Sequence, residues 1–303
     1  MEKKIAQKLN LYMQLARLHR PVGIYLLFFP ASFGILLAGH SKAFSHIDLY
    51  FLAIFFLGAT LMRSAGCVIN DIWDKNFDKQ VERTKSRPLA SNAVTNQEAY
   101  LLLFLLLLPC SFILFALNLF SIIIGLLALL MVITYPLMKR HIKNPQVFLG
   151  ASFAIASLMG FVASVDNFQF SISACLTALL LYIACVCWVI GYDTIYGLQD
   201  KKGDEKLNLN SSTILWGNKI TLYVFLCFHL FFGFYSLAVL FAFDVKPVVV
   251  YVSIVIAIIY FYSNFIKADF NNNADCQEFF ESNFTIGLIL FTGLLIQSIM
   301  LAI

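Results

Sequence analysis

Residues 48–78 read DLYFLAIFFLGATLMRSAGCVINDIWDKNFD. A run of apolar positions, interrupted by Arg63, passes without a break into Asn70, Asp71, Asp74 and Asp78. About 20 mostly apolar residues are what a helix needs to cross a bilayer, so the acids stand where a membrane span meets water. If the helix continues through them, the four-residue spacing of Asn70, Asp74 and Asp78 stacks their side chains on one face. Stacked acids repel one another unless a cation neutralises them, and hard Asp and Asn oxygens suit Mg²⁺, which takes one or two carboxylates together with phosphate oxygens.

The same reading extends along the chain. Of its 303 residues 60% are hydrophobic, against roughly 45–50% in soluble domains, and the mean hydropathy is +0.82. Nine apolar segments are expected to span, near 22–40, 48–69, 97–117, 118–137, 146–165, 169–191, 219–242, 247–265 and 283–303. The first starts too late, and is too long, for a cleaved leader without an Ala-x-Ala site. No polar stretch is large enough to fold separately, so residues 1–303 are read as one all-α, polytopic membrane domain. The seven cysteines form no CxxC pair and no metal-spaced set with histidine.

An odd span count puts the termini on opposite sides. With nine spans, every lysine and arginine except Lys42 and Lys246 falls on the side of the N terminus, which the positive-inside rule makes cytoplasmic. The outer connections, near Asn118 and Asp166, are short, whereas the inner loops at 70–96 and 193–218 are long and charged. Function is therefore expected at the inner face.

In the second long loop Asp193, Tyr196 and Asp200 repeat the offsets of Asp71, Asp74 and Asp78, with Asp204 following. Two such clusters on one cavity would hold metal ions bridged by a diphosphate, with Arg83, Arg87, Lys139 and Arg140 complementing its remaining charge. Charged loops beside a membrane are ordinarily just solvated, but two matched clusters on one side argue for more. Arg63 lies within a span, where an unpaired charge costs a few kcal/mol; it either snorkels to the inner surface or holds a substrate carboxylate or phosphate. Tyr135 and Lys139, one turn apart, share a face if the fourth span persists. A cation-coupled transporter also uses intramembrane carboxylates, though nearer the bilayer midplane; a purely structural subunit leaves the two clusters unexplained.

The stretch 63–71 with Asp74, Asp78, Arg83, Thr84 and 87–89, the segment 135–140, and 191–196 continuing to Asp200 resemble the UbiA-type family of intramembrane aromatic prenyltransferases. Weaker echoes lie at 20–23 and around Cys276, Phe279, Asn283 and Gly287. Within the family the wording is most similar to enzymes acting on 4-hydroxybenzoate in ubiquinone synthesis, with naphthoate- or haem-prenylating relatives as the alternative. The resemblance implies nine transmembrane helices around a central cavity and transfer of a polyprenyl group from its diphosphate to the ring carbon beside the hydroxyl. It implies Mg²⁺ at Asn70, Asp74, Asp78, Asp200 and Asp204, and catalytic roles for Asp74, Asp78, Asp200 and Tyr135. Substrate contacts are then expected from Arg63, Arg83, Arg87, Lys139, Arg140, Asp193 and Tyr196, with Arg63 on the benzoate carboxylate. A multi-pass protein of the cell inner membrane is implied, its site facing the cytoplasm, with the bilayer and these two substrates as partners and neither nucleic acid nor an obligate protein partner. Gly203, Asn208 and Asn210 depart from the family pattern, where an Asp, a Gly and a Lys are common.

Overall fold

A computed structural model describes residues 2–38, 44–165, 171–243 and 246–302; Lys42 and the connection near Asp166 lie outside the described residues. Every regular element among the described residues is helical. Ser45 opens α3 (His46–Asp78) with a capping box: its hydroxyl accepts from the Asp48 N–H while Asp48 accepts from the Ser45 N–H. The 33 residues of α3 extend about 50 Å at 1.5 Å per residue, far beyond the roughly 30 Å of hydrocarbon. The helix outruns the apolar slab by several turns, and those turns carry Asn70 to Asp78.

The other elements are α1 (Glu2–Leu15), α2 (Val22–Leu37), α4 (Asn96–Phe115), α5 (Leu119–His141), α6 (Pro145–Ser164), α7 (Ile172–Gly197), α8 (Lys201–Lys206), α9 (Ser212–Trp216), α10 (Ile220–Ala242), α11 (Val248–Lys267) and α12 (Asn273–Met300). Eight helical stretches among the described residues are long and apolar enough to cross a membrane. The first expected span, α2, is helical for only 16 residues, about 24 Å. Length and composition thus give eight spans where nine were expected.

Much of what the sequence suggested as inner loops is helix. α3 runs nine residues past its expected end, α7 continues to Gly197 and hands over through a 3-10 turn (Leu198–Asp200) to α8, and α12 starts ten residues early. Hydropathy falls where charges begin, but backbone hydrogen bonding continues there undiminished.

Successive helices α2 to α7, then α10, α11 and α12, pack side by side, and α12 returns to α2 to close the ring. α2 is held deep inside: all but Val22, Tyr25 and Leu27 are buried, and it crosses α6 at glycines. A Cβ on Gly160 would lie 2.2 Å from the Ala31 carbonyl oxygen, and one on Gly34 would lie 2.1 Å from that of Ser157. Small residues that let backbones touch are what join helices where lipid leaves no hydrophobic drive. On one side of α2, Phe29, Phe33, Trp188 and Tyr235 fill the core, and Trp188 Nε1 donates to Asn283 Oδ1 at 2.8 Å. On the other side α2, α3, α5, α6 and α7 leave a cavity.

Candidate active site

The cavity encloses about 1210 Å³. Its mouth is lined by charged side chains of α3, the 79–95 segment, α5, α7 and α8, and its depth by apolar ones such as Leu27, Leu114, Val132 and Met159. Because α3 stays helical to Asp78, Asn70, Asp74 and Asp78 all reach this wall, and Tyr135 and Lys139 reach it from the last turns of α5. Asp193, Tyr196, Asp200 and Asp204 line the opposite side. The two acidic clusters, more than a hundred residues apart in the chain, share one mouth.

They are joined directly. Arg83, from the segment after α3, forks onto Asp200 with Nε–Oδ1 at 2.7 Å and Nη2–Oδ2 at 2.6 Å, and its Nη1 lies 3.4 Å from the Tyr196 hydroxyl. Partial burial works against the Arg83 charge, but the adjoining carboxylate and phenol outweigh it and hold its pKa above the ordinary guanidinium value. Arg87 Nη1 bonds both Asp78 (2.8 Å) and Asp71 (3.1 Å). Lys139 faces Asp204 at 3.6 Å and Arg140 faces Asp74 at 3.5 Å.

Asp71 is 2% exposed and receives a second guanidinium, Arg17 Nη2, at 3.0 and 3.1 Å. Arg17 adopts φ +56 just beyond α1, in the left-handed region that side chains other than glycine seldom occupy. The amphipathic α1 is docked at the same place: Leu15 is buried against Val68, Leu89 and Val94, and Glu98 takes Lys8 at 2.8 Å and the Tyr12 hydroxyl at 3.0 Å. In the sequence Arg17 reads only as one of the basic residues of the N-terminal arm. Its partner lies 54 residues away, and no local spacing announces the pair.

Arg63 stays inside the cavity. Its Nη1 donates to Cys67 Sγ at 2.8 Å, its guanidinium lies 5.9 Å from the Phe153 ring centre, and a Cβ on Gly23 would meet its Nε at 2.5 Å. No carboxylate pairs with it among the described residues. Arg140 is turned aside: one position past Lys139 means about 100° around the helix, and it stacks over Phe77, 4.6 Å from the ring centre, outside the cavity lining.

The offsets shared by Asp71–Asp74–Asp78 and Asp193–Tyr196–Asp200 do not give equivalent surroundings. Asp71 is clamped between two arginines, whereas Asp193 opens on the cavity without a bonded partner among the described residues. Two of the departures from the expected pattern are absorbed by the backbone. Asn208 has φ +51, a conformation that asparagine tolerates far better than most residues, and the Asn210 N–H donates to the Lys139 carbonyl at 2.7 Å. Below them Ser212 bonds Gln146 Oε1 at 2.7 Å and Asn144, fixing the turn to α9 against α6.

Among the described residues no three acidic, histidine or cysteine groups enclose a cation by themselves. Of the five expected ligands, Asp78 and Asp200 are held tightly by Arg87 and Arg83, while the side chains of Asn70, Asp74 and Asp204 line the cavity with no bond shorter than 3.5 Å among the described residues. That donor set fits Mg²⁺, which retains waters and takes one or two carboxylates plus phosphate oxygens.

The profile of the UbiA prenyltransferase family matches residues 27–291. The chain is 36% identical over 296 residues to the 4-hydroxybenzoate octaprenyltransferase of Francisella tularensis subsp. mediasiatica, covering 97% of this chain and 99% of that one. A UbiA homolog from Aeropyrum pernix K1 superposes with a TM-score of 0.74 at 22% identity, over 89% of this chain and 97% of that one. A UbiA homolog from Archaeoglobus fulgidus, bound to GPP and Mg²⁺, superposes with a TM-score of 0.63 at 17% identity, over 93% and 99%.

Proposed function

The chain belongs to the UbiA prenyltransferase family, and from that premise we propose that it transfers a polyprenyl group from polyprenyl diphosphate to 4-hydroxybenzoate, at the ring carbon beside the hydroxyl, in ubiquinone biosynthesis. The observation that carries this reading is the convergence of the α3 and α7 acids, bridged by Arg83, at the mouth of a cavity whose depth is apolar. A diphosphate belongs at such a mouth and its hydrocarbon tail in such a depth.

Asn70, Asp74 and Asp204 would hold Mg²⁺, with Asp78 and Asp200 beside them. Bound there, Mg²⁺ neutralises the diphosphate and makes it a better leaving group. Arg83, Arg87 and Lys139, each already facing a carboxylate across the mouth, turn toward the diphosphate oxygens as the negative charge there grows. The allylic C–O bond breaks with its electron pair going to the diphosphate. Tyr135, one turn deeper than Lys139, presents an aromatic face to the allylic cation, and Tyr196 steadies Arg83. Arg63 takes the acceptor's carboxylate, which supplies the counter-charge that the protein withholds, and so turns the ring toward the cation. The apolar walls keep water from trapping the cation.

We further read the chain as one membrane domain with nine transmembrane helices, α2 included, its N terminus and site facing the cytoplasm of a cell inner membrane. The basic bias of one end supports this. The test is turnover of purified protein with Mg²⁺, 4-hydroxybenzoate and prenyl diphosphates of graded length, with the product identified by mass. Asp74→Ala and Asp200→Ala are expected to lose at least about 100-fold in kcat while still folding; near-normal rates in both would remove the assignment.

A further inference from the structure

Of the six aspartates that line the cavity, five have a base within reach: Asp71 has Arg17 and Arg87, Asp74 has Arg140, Asp78 has Arg87, Asp200 has Arg83 and Asp204 has Lys139. Asp193 is the exception. Its carboxylate has no ion pair and no hydrogen bond among the described residues, although it stands on the cavity wall near the end of α7. Arg63, within the span of α3, mirrors it: a cation on the same cavity whose only bonded partner among the described residues is a thiol. The charged and phenolic groups that face Asp193 are Arg63 on α3, Tyr135 and Lys139 on α5, and Tyr192 and Asp200 on its own side. A charge without a partner on a cavity wall is costly, and inside a span, as Arg63 is, it marks a functional position. Here two of opposite sign, not bonded to each other, face one hollow. A ligand that satisfies both has an anion at one end and an acidic donor at the other, and 4-hydroxybenzoate, with carboxylate and phenol on opposite ring carbons, is such a molecule.

Resting on the function proposed above, we propose that Asp193 is a catalytic residue that binds the phenol O–H of the acceptor and takes up its proton as the ring attacks. As the new C–C bond forms between the ring carbon beside the hydroxyl and the allylic carbon, the phenol proton moves to Asp193 and the ring becomes a dienone. The proton on the attacked ring carbon then leaves to the freed diphosphate. Asp193 returns its own proton to the oxygen, restoring the phenol. No oxidant or further reactant is needed, and the same carboxylate is regenerated.

The test uses the full chain in detergent, Mg²⁺, geranyl diphosphate as donor, and two acceptors: 4-hydroxybenzoate and 3-fluoro-4-hydroxybenzoate, whose phenol is more acidic and which still has a free neighbouring ring carbon. Asp193→Asn keeps the shape and removes the proton acceptor. Its kcat with 4-hydroxybenzoate is expected to fall about 100-fold, the scale of general-base catalysis. Its deficit relative to the unaltered protein shrinks several-fold with the fluorinated acceptor, and the rise in melting temperature on adding donor with Mg²⁺ is retained. Asp193→Glu recovers part of the rate. A kcat within threefold of the unaltered protein, an equal deficit with both acceptors, or loss of the donor-induced melting shift in Asp193→Asn overturns the proposal. Failure of the unaltered protein to prenylate 4-hydroxybenzoate instead overturns the function on which it rests.

Discussion

Asp71 shows how two neighbouring acids of one sequence motif can do different work. It is the acid beside Asn70, yet α3's turn of about 100° per residue carries it off the Asn70–Asp74–Asp78 stripe and into the grip of Arg17 and Arg87. Removing one partner of a buried ion pair leaves the other charge uncompensated, a loss of about 3–5 kcal/mol; the arginines are each 21% exposed, which favours the lower end. Asp71→Asn is therefore expected to lower the melting temperature of the detergent-solubilised protein, and Arg17→Met, which removes one of two cations, to lower it less. Equal melting of Asp71→Asn and the unaltered protein would show the clamp to be unimportant. The Asn70–Asp74–Asp78 and Tyr135–Lys139 faces were readable from spacing because a helix repeats locally. The contacts of Arg87 and Arg140 were not: one is divided between two aspartates and the other leans on Phe77, and such choices are made by side chains far apart in the chain.

At the scale of the element, the crossing of α2 and α6 is where a small change does most harm. The atoms that a Cβ on Gly160 or Gly34 would strike belong to backbone, which cannot rotate out of the way as a side-chain tip does. Gly160→Leu should push the helices apart and destabilise by 1–3 kcal/mol or more, as overpacking does, read as a drop in melting temperature. Gly58→Ala on α3, where a Cβ meets nothing within 4 Å, should leave the melting temperature unchanged. If both variants melt alike, the close crossing carries no weight. The existence and order of all the long helices were legible, since each is a long apolar run. Their charged ends were not, because a helix ends where its hydrogen bonds and caps end, whereas hydropathy reports only where lipid ends. The same difference hides α1, too polar to register as a span and recognisable only from Leu15 and Tyr12 docking on the segment ahead of α4 and on α4 itself.

For the whole molecule, the decisive feature is polarity from end to end. Arg17, the 79–95 segment, the ends of α5 and α7, and α8 gather at one end of the bundle around a single mouth, and the basic residues concentrate there as well. The cavity of about 1210 Å³ exceeds the 300–1,000 Å³ of ordinary small-molecule sites, as expected if it holds an aromatic acceptor and a hydrocarbon chain together. A soluble acceptor must enter from the aqueous side on which the mouth opens, so the topology and the chemistry stand or fall together. Glu82, whose side chain is 86% exposed in the segment between α3 and α4, offers a place to ask which side that is. In a Cys175→Ser background, which removes the exposed native thiol, Glu82→Cys should react with a membrane-impermeant thiol reagent in inverted membrane vesicles and stay unlabelled in intact spheroplasts. Labelling in spheroplasts would reverse the orientation, placing the mouth outside and the positive charge on the side where membrane insertion disfavours it.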